Sequence, residues 1–261
     1  MNVYIMVDME GISGVMTRDQ VIKGNPAYQE GRKYMTEDIN VCVRACKEAG
    51  VEKVYVRDCH SDGANVIYHE LCPEADGYIV GYTGQNRFPF LEECDAVILL
   101  GYHAMAGTLG GTLEHSMSSA SIQNYHINGK VAGETAIDAG IVGDYGKPVI
   151  MVSGDDKLCA EAKELMPWVV TAEVKKGITW CGALLLPQEK AHEVIREKTI
   201  EAVKNAANAK PVVYEKPITL RVELVERGML PNAYAKPYMN VIDGHTYEVT
   251  GNTMEETFFR S

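Results

Sequence analysis

The chain reads as an α/β fold: a mostly parallel central sheet with helices on both faces, plus a smaller C-terminal α+β portion. Three observations predict it. Through the first 155 residues, short apolar runs alternate with amphipathic segments, the pattern of β-α-β units. Beyond that point the alternation loosens into a long helix and scattered strands. The 261 residues, 46% hydrophobic and 23% charged, suit a soluble globular protein with one large domain or one domain and a smaller partner. Residues 1–180 are assigned to the core and 181–261 to the smaller portion, with the boundary falling somewhere between about 155 and 180.

Taken in order, residues 2–7 form the first apolar run and predict a strand. An amphipathic helix follows over 34–49 and ends at Gly50, a suitable C-terminal glycine. Lys53 to Arg57 and Asp95 to Gly101 are the second and third strands. Residues 119–133 predict a hairpin, because Asn128-Gly129 between two extended segments suits a type I′ turn. A helix over about 134–143 and the strand Pro148 to Ser153 complete the alternation. A short helix closes at Glu161 to Leu165, and Val169 to Val174 reads as a strand. Pro187 introduces a long helix over 187–208, and Pro211 to Pro217 reads as a linker. Strands at 218–224 and 245–250 leave only Thr253 to Ser261 as a tail.

A net charge of −11 argues against nucleic acid or an anionic membrane as partner. Seven cysteines, with no C-x-x-C pair, read as reduced thiols. Met1 to Gly11 has neither a basic stretch nor a long apolar run, so no signal peptide is expected. No window approaches the roughly 18 apolar residues of a membrane span. A cytoplasmic location is the expectation.

The chemistry begins at Asp8-Met9-Glu10, where the first strand ends. Residues two apart on a strand share a face, so both acids project together. Like charges this close resist joint ionisation unless a cation lies between them. The second strand ends in Asp58-Cys59-His60-Ser61-Asp62-Gly63 and the third in Gly101-Tyr102-His103. Ligands of open α/β sheets bind beyond the carboxyl ends of the strands. A lone histidine there is more often a hydrogen-bonded loop residue than a ligand. Two histidines and two carboxylates at three strand ends are the donor set of zinc or a similar ion. Glu134 opens a helix, a position the helix dipole favours for any acid. His115 lies in the glycine-rich loop Gly107 to Ser116, whose glycines leave it free to stand away from the other groups. Gly154-Asp155-Asp156 is a third acidic turn, either a helix N-cap or a support for the site. His69, His126, His192 and His245 read as structural or exposed.

Val7-Asp8-Met9-Glu10-Gly11, Asp58-Cys59-His60-Ser61, Leu100-Gly101-Tyr102-His103-Ala104, Glu114-His115-Ser116, Gly133-Glu134 and Gly154-Asp155-Asp156 together resemble the ordered motifs of the DppA-type D-aminopeptidases, peptidase family M55. The likeness runs from Met1 to about residue 180 and is looser beyond. It implies zinc-dependent removal of amino-terminal residues from short, D-residue-containing peptides. It also implies two zinc ions per subunit: Asp8 bridges, Glu10 and His60 complete one site, and His103 and Glu134 complete the other. His115 matches the family's catalytic nucleophile. The resemblance further implies a ring-shaped homo-oligomer, a decamer, with enclosed active sites.

Two divalent ions about 3.5–4 Å apart polarise a peptide carbonyl and lower the pKa of a shared water. With so strong a nucleophile supplied, proton transfer by His115 is easier to defend than direct attack, although the motif fits both. A substrate amine can bind one ion or pair with Asp155 or Asp156. A rival reading is a haloacid-dehalogenase-like, magnesium-dependent phosphatase using Asp8 as nucleophile, for which Asp8-Met9-Glu10-Gly11 and Gly154-Asp155-Asp156 are imitations. It leaves His60, His103 and His115 without a task, and magnesium prefers oxygen ligands. A non-enzymatic metal-binding ring is a third reading and needs no His115.

Overall fold

The structure, a computed structural model, describes residues 1–231 and 236–261. In chain order its elements begin with β1 (Val3–Val7), α1 (Tyr28–Glu48), β2 (Val54–Asp58), β3 (Gly77–Ile79), β4 (Ala96–Leu100), β5 (Ile122–Ile127) and β6 (Lys130–Ala132). Next come α2 (Glu134–Asp144), β7 (Val149–Asp155), α3 (Asp156–Leu165), β8 (Val170–Thr179), β9 (Gly182–Leu185) and α4 (Gln188–Asn205). The last are β10 (Ile218–Leu224), β11 (Met239–Val241), β12 (Thr246–Gly251) and α5 (Met254–Arg260).

A seven-stranded sheet runs β3-β2-β1-β4-β7-β8-β9 and is parallel except for the β8–β9 hairpin. The two faces of β1 explain its unbroken apolar run. Val3, Ile5 and Val7 pack with Ile39 and Cys46 of α1 and Ile195 of α4. Tyr4 and Met6 point the other way, into a core shared with Ile137 of α2 and Leu158 of α3. Helices therefore lie on both faces, as the β-α-β alternation predicts. Each fully buried aliphatic side chain contributes about 1.5–3 kcal/mol, so β1 is held rigidly from both sides.

From β1 the sheet grows through β2 to β3, then in the opposite direction through β4 to β7 and β8. That reversal opens a crevice beyond the carboxyl ends of β1 and β4. A second, antiparallel sheet, β11-β12-β10-β5-β6, packs Leu220 and Val222 of β10 into the same core as Tyr4. It draws β5 and β6 from within residues 1–180, while β9 and α4, from beyond 180, attach to the first sheet. Asn128 and Gly129, with φ of 49° and 84°, make the expected β5–β6 turn. Among the described residues no helix is long and apolar enough to cross a membrane.

The sequence pattern does not predict β3, β9, β11 or α5. β3 and β11 have three residues each, too few for alternation to register. The expected tail after the last strand is in fact α5, started by the Thr253 side chain, which accepts a hydrogen bond from Glu256 N at 3.2 Å. Helix α1 begins at Tyr28 rather than at 34 because Gly31 is no breaker here. A Cβ at Gly31 would lie 2.2 Å from the Gln20 carbonyl oxygen, so glycine serves close packing.

Candidate metal centre

The crevice brings Asp8, Glu10, His60, His103 and Glu134 together from four strand or hairpin ends, and His115 from the loop between β4 and β5. Gly11 lets the first of these loops approach the fourth strand's end: a Cβ there would sit 1.7 Å from the Tyr102 carbonyl oxygen. The Asp8 carboxylate lies between two imidazoles. Its Oδ1 is 3.1 Å from His60 Nδ1, and its Oδ2 is 3.4 Å from His103 Nε2. Glu10 Oε2 adds a second oxygen 3.1 Å from His60 Nδ1, and Glu134 Oε1 stands 3.2 Å from His103 Nε2. The atoms thus fall into two sets that share Asp8.

Each imidazole is oriented by a backbone carbonyl on its far side. His60 Nε2–H donates to Val21 O at 2.8 Å, His103 Nδ1–H to Ala104 O at 3.0 Å, and His115 Nδ1–H to Leu113 O at 2.9 Å. These contacts fix the tautomers and turn the opposite lone pairs toward the carboxylates. Lone pairs facing carboxylate oxygens repel unless a cation or proton lies between. Consistent with that, His103 Nε2 and Glu10 Oε2 are buried and have no aligned hydrogen bond. The donor set fits a zinc-like cation.

Electrostatics agree. Burial raises the Asp8 pKa, but His103 and His60 outweigh it and hold the carboxyl well below its usual range. Burial likewise raises Glu134, and His103 brings it below the ordinary value. In return, His60 and His103 are drawn down by burial yet held well above the ordinary histidine value, by Glu10 and Asp8 for the first and by Glu134 and Asp8 for the second. The pocket is built to surround positive charge.

His115 does not stand apart, contrary to the sequence expectation. Its ring stacks on His103 with centroids 4.0 Å apart, and its Nε2 is 3.7 Å from Glu134 Oε1. The glycine-rich loop is tied down rather than free. Thr112 N donates to Asp155 Oδ2 at 2.8 Å, Leu113 N to Trp180 O at 2.8 Å, and Gly107 N to Glu114 Oε2 at 2.6 Å. A cleft of about 550 Å³ opens over Asp8, Glu10, His60, His115 and Glu134.

Comparison with known proteins gives this geometry a family. The model of the peptidase M55 family, described as D-aminopeptidase, matches residues 1–260. The chain belongs to that family. The D-aminopeptidase of Bacillus subtilis (strain 168) is 36% identical over 250 residues, covering 94% of this chain and 89% of the relative. A solved structure, described as the Zn-dependent D-aminopeptidase DppA from Bacillus subtilis, a self-compartmentalizing protease, superposes with a TM-score of 0.93 at 34% identity, covering 99% of this chain and 94% of the other. The M55 match continues past residue 180, where the sequence motifs thin out. The phosphatase reading falls with it; His60 and His103, which that reading leaves idle, both contact Asp8.

The expectation for Asp155 and Asp156 needs correction. Asp155 is the N-cap of α3, its Oδ1 accepting from Lys157 N at 3.1 Å and Leu158 N at 2.9 Å, and its Oδ2 holds Thr112. Asp156 is taken by Lys157 Nζ at 2.6 Å and Gly177 N at 2.9 Å. Neither acid lines the cleft. His126, His192 and His245 pair with Glu223, Asp38 and Asp243, and His69 is exposed; none enters the site. Lys175 is the residue that sequence reasoning misses. Fully buried, its Nζ donates to the carbonyls of Glu10 at 2.6 Å, Ile12 at 3.0 Å and Val15 at 2.6 Å, clamping the loop that carries Glu10. A shift in register between Gly154 and Asp155 places Lys175 opposite Asp155.

Proposed function

We propose that this chain is a zinc-dependent aminopeptidase that removes amino-terminal residues from short peptides, with D-residue-containing peptides as the preferred class. Asp8, Glu10, His60, His103 and Glu134 would hold two zinc ions per subunit, as the motifs imply. The observation that carries this reading is the shared Asp8 carboxylate, one oxygen toward each imidazole. Kinship with a D-aminopeptidase and with a zinc-dependent one supports it.

Bound zinc supplies Lewis-acid polarisation of the scissile carbonyl and a water acidified toward neutrality. The chain's own residues do the rest. Glu134 receives Met117 N at 2.6 Å and so fixes its carboxylate against His103. His115, with Nδ1–H on Leu113 O, presents Nε2 to the cleft as an acceptor. In this reading it takes a proton from the attacking water and returns it to the departing amine; the Leu113 carbonyl stabilises the protonated ring between the two transfers. Direct attack by the same nitrogen would need no different placement, and the choice of proton transfer rests on the chemistry of the activated water.

The subunits assemble, in this proposal, into a ring-shaped homo-oligomer, a decamer, which admits only short peptides. Self-compartmentalization is stated for the solved relative, and exposed Leu109, Ile178 and Leu184 supply apolar contact surface. Seven unpaired cysteines support a cytoplasmic location. The test is hydrolysis of a panel of D- and L-aminoacyl dipeptides with zinc and after chelation. Zinc-dependent release of amino-terminal D-residues is expected. Chelator-resistant hydrolysis, or none with zinc, would overturn the reading.

A further inference from the structure

Beside the metal cleft lies a smaller cavity of about 160 Å³ between the end of β2, the loop 81–87 and α5. Its wall includes Arg57, which the β2 alternation turns away from α1 and onto the side of the sheet carrying Tyr4 and Tyr55. Arg57 is 8% exposed, yet no acid pairs with it among the described residues. Its Nη1 donates to Thr83 Oγ1 at 2.6 Å and is 3.5 Å from Asn86 O, while Nε is buried with no hydrogen-bond partner. The hydroxyl of Tyr4, on that same side of the sheet, is also buried and unpartnered.

A buried guanidinium without a counter-charge is costly unless an anion completes it. The other charged groups around the cavity already have hydrogen-bond or ion-pair partners. Arg87 holds Asp138 through two hydrogen bonds of 2.8 and 2.9 Å. Asp58 accepts from Asn65 N, Asn65 Nδ2 and Val66 N at 2.6, 2.9 and 3.2 Å, and Asp62 pairs with Lys23 at 2.6 Å. Of the two buried charges here without an ion-pair partner among the described residues, Asp58 has its oxygens met by neutral donors, whereas Arg57 keeps a buried nitrogen unmet.

The cavity adjoins the metal cleft, since Cys59, Ser61, Arg87 and Phe258 line both. Arg57 is three residues from His60, at most about 10 Å along extended backbone, and a peptide of two or three residues spans about 7–10 Å. We propose that the Arg57 cavity is a subsite for the carboxylate terminus of the peptide substrate. A peptide anchored by its amine at the metal centre and by its carboxylate on the Arg57 guanidinium, which lines the cavity, has its length measured between the two. This rests on the aminopeptidase reading, and it makes the enzyme selective for dipeptides and tripeptides with a free carboxylate. Guanidinium–carboxylate pairing is the strong, directional contact such selection needs.

The test compares D-alanyl-D-alanine with its C-terminal amide on the zinc-loaded, full-length protein. Loss of a hydrogen bond to a charged group changes binding by roughly 10–100-fold, so kcat/KM for the acid should exceed that for the amide by about that factor, mainly through KM. In Arg57→Gln the acid-to-amide ratio should collapse toward one, and Arg57→Lys should recover part of it. Equal rates for acid and amide in the wild type, or an unchanged ratio in Arg57→Gln, would overturn the subsite. If Arg57→Gln fails to fold, the wild-type comparison still decides. Calorimetric binding of both ligands to the metal-free protein separates the two readings. Preference for the acid in that binding, with no cleavage by the zinc-loaded protein, keeps the subsite and rejects the aminopeptidase; cleavage without preference does the reverse.

Discussion

Replacing Lys175 with methionine tests whether the metal centre depends on a residue that never touches it. The ammonium supplies three hydrogen bonds to buried carbonyls of residues 10, 12 and 15. Leaving each acceptor unmet costs about 1–3 kcal/mol, for an upper range of about 3–9 kcal/mol. Against this, a methionine escapes the several kcal/mol that desolvating an ammonium costs. That desolvation is evident in the lysine itself, whose pKa burial pulls down to about 8 against the raising effect of Asp155, Asp38 and Glu10. The net expectation is a loss of about 2–4 kcal/mol, because three acceptors are orphaned and only one charge is relieved. Release of the loop also frees the Glu10 backbone, so zinc affinity should fall by roughly 10-fold or more, as for other groups that orient metal ligands. Urea unfolding of the metal-free protein reads the first quantity, and zinc titration against a competing chelator reads the second. Stability within about half a kcal/mol of wild type, with unchanged zinc affinity, would refute the clamp.

Other consequences are as direct. Burial raises the Glu161 pKa to about 7 from 4.5, so the native state binds more protons between those values; stability gained by protonation is present below about 4.5 and is lost as pH rises through 7. That is a loss on the order of 3 kcal/mol. Glu161→Gln keeps an acceptor for Met105 N, now bonded at 2.8 Å, and should remove this slope, giving a variant more stable than wild type at pH 8 and not at pH 4; parallel denaturation curves at both pH values would contradict it. His115→Ala should keep its zinc and lose about 10²–10⁴-fold in turnover, and near-normal turnover by a zinc-replete variant would return His115 to a loop role. Light scattering should give a mass several times the 28.7 kDa of one chain, and a monomer would remove the ring.

The site was legible wherever chemistry coincided with a strand end. Asp8 and Glu10 follow an apolar run and are two apart; His60 and His103 follow the next two runs in the same way, and the sheet order makes those ends neighbours. Glu134 was ambiguous alone, since any helix start favours an acid, and became distinct only beside His103. What escaped depends on tertiary contacts. Lys175 sits at a polar position of an alternating strand, beside Lys176, where nothing local marks it as buried, and a register shift sets its pairing with β7. Arg57 looks like the polar half of an alternating strand, whereas the loop 81–87 and α5 cover it. Asp155 and Asp156 invited a functional role, but their oxygens are spent on a helix cap and on neighbouring loops. The α5 helix did carry a signal: Thr253 and Glu256 form the S/T-x-x-E pattern of a helix start, and Glu256 Oε2 accepts from Asn252 N at 2.7 Å.

Stepwise addition of zinc to the chelator-stripped protein, with D-alanyl-D-alanine hydrolysis followed at each addition, tests the central claim most directly. Activity should rise to a plateau at two zinc ions per chain, and Asp8→Ala should weaken both binding steps, because its two oxygens face His60 and His103 separately. A plateau at one ion, or two ions retained at full occupancy by Asp8→Ala, would contradict a centre built around a shared Asp8.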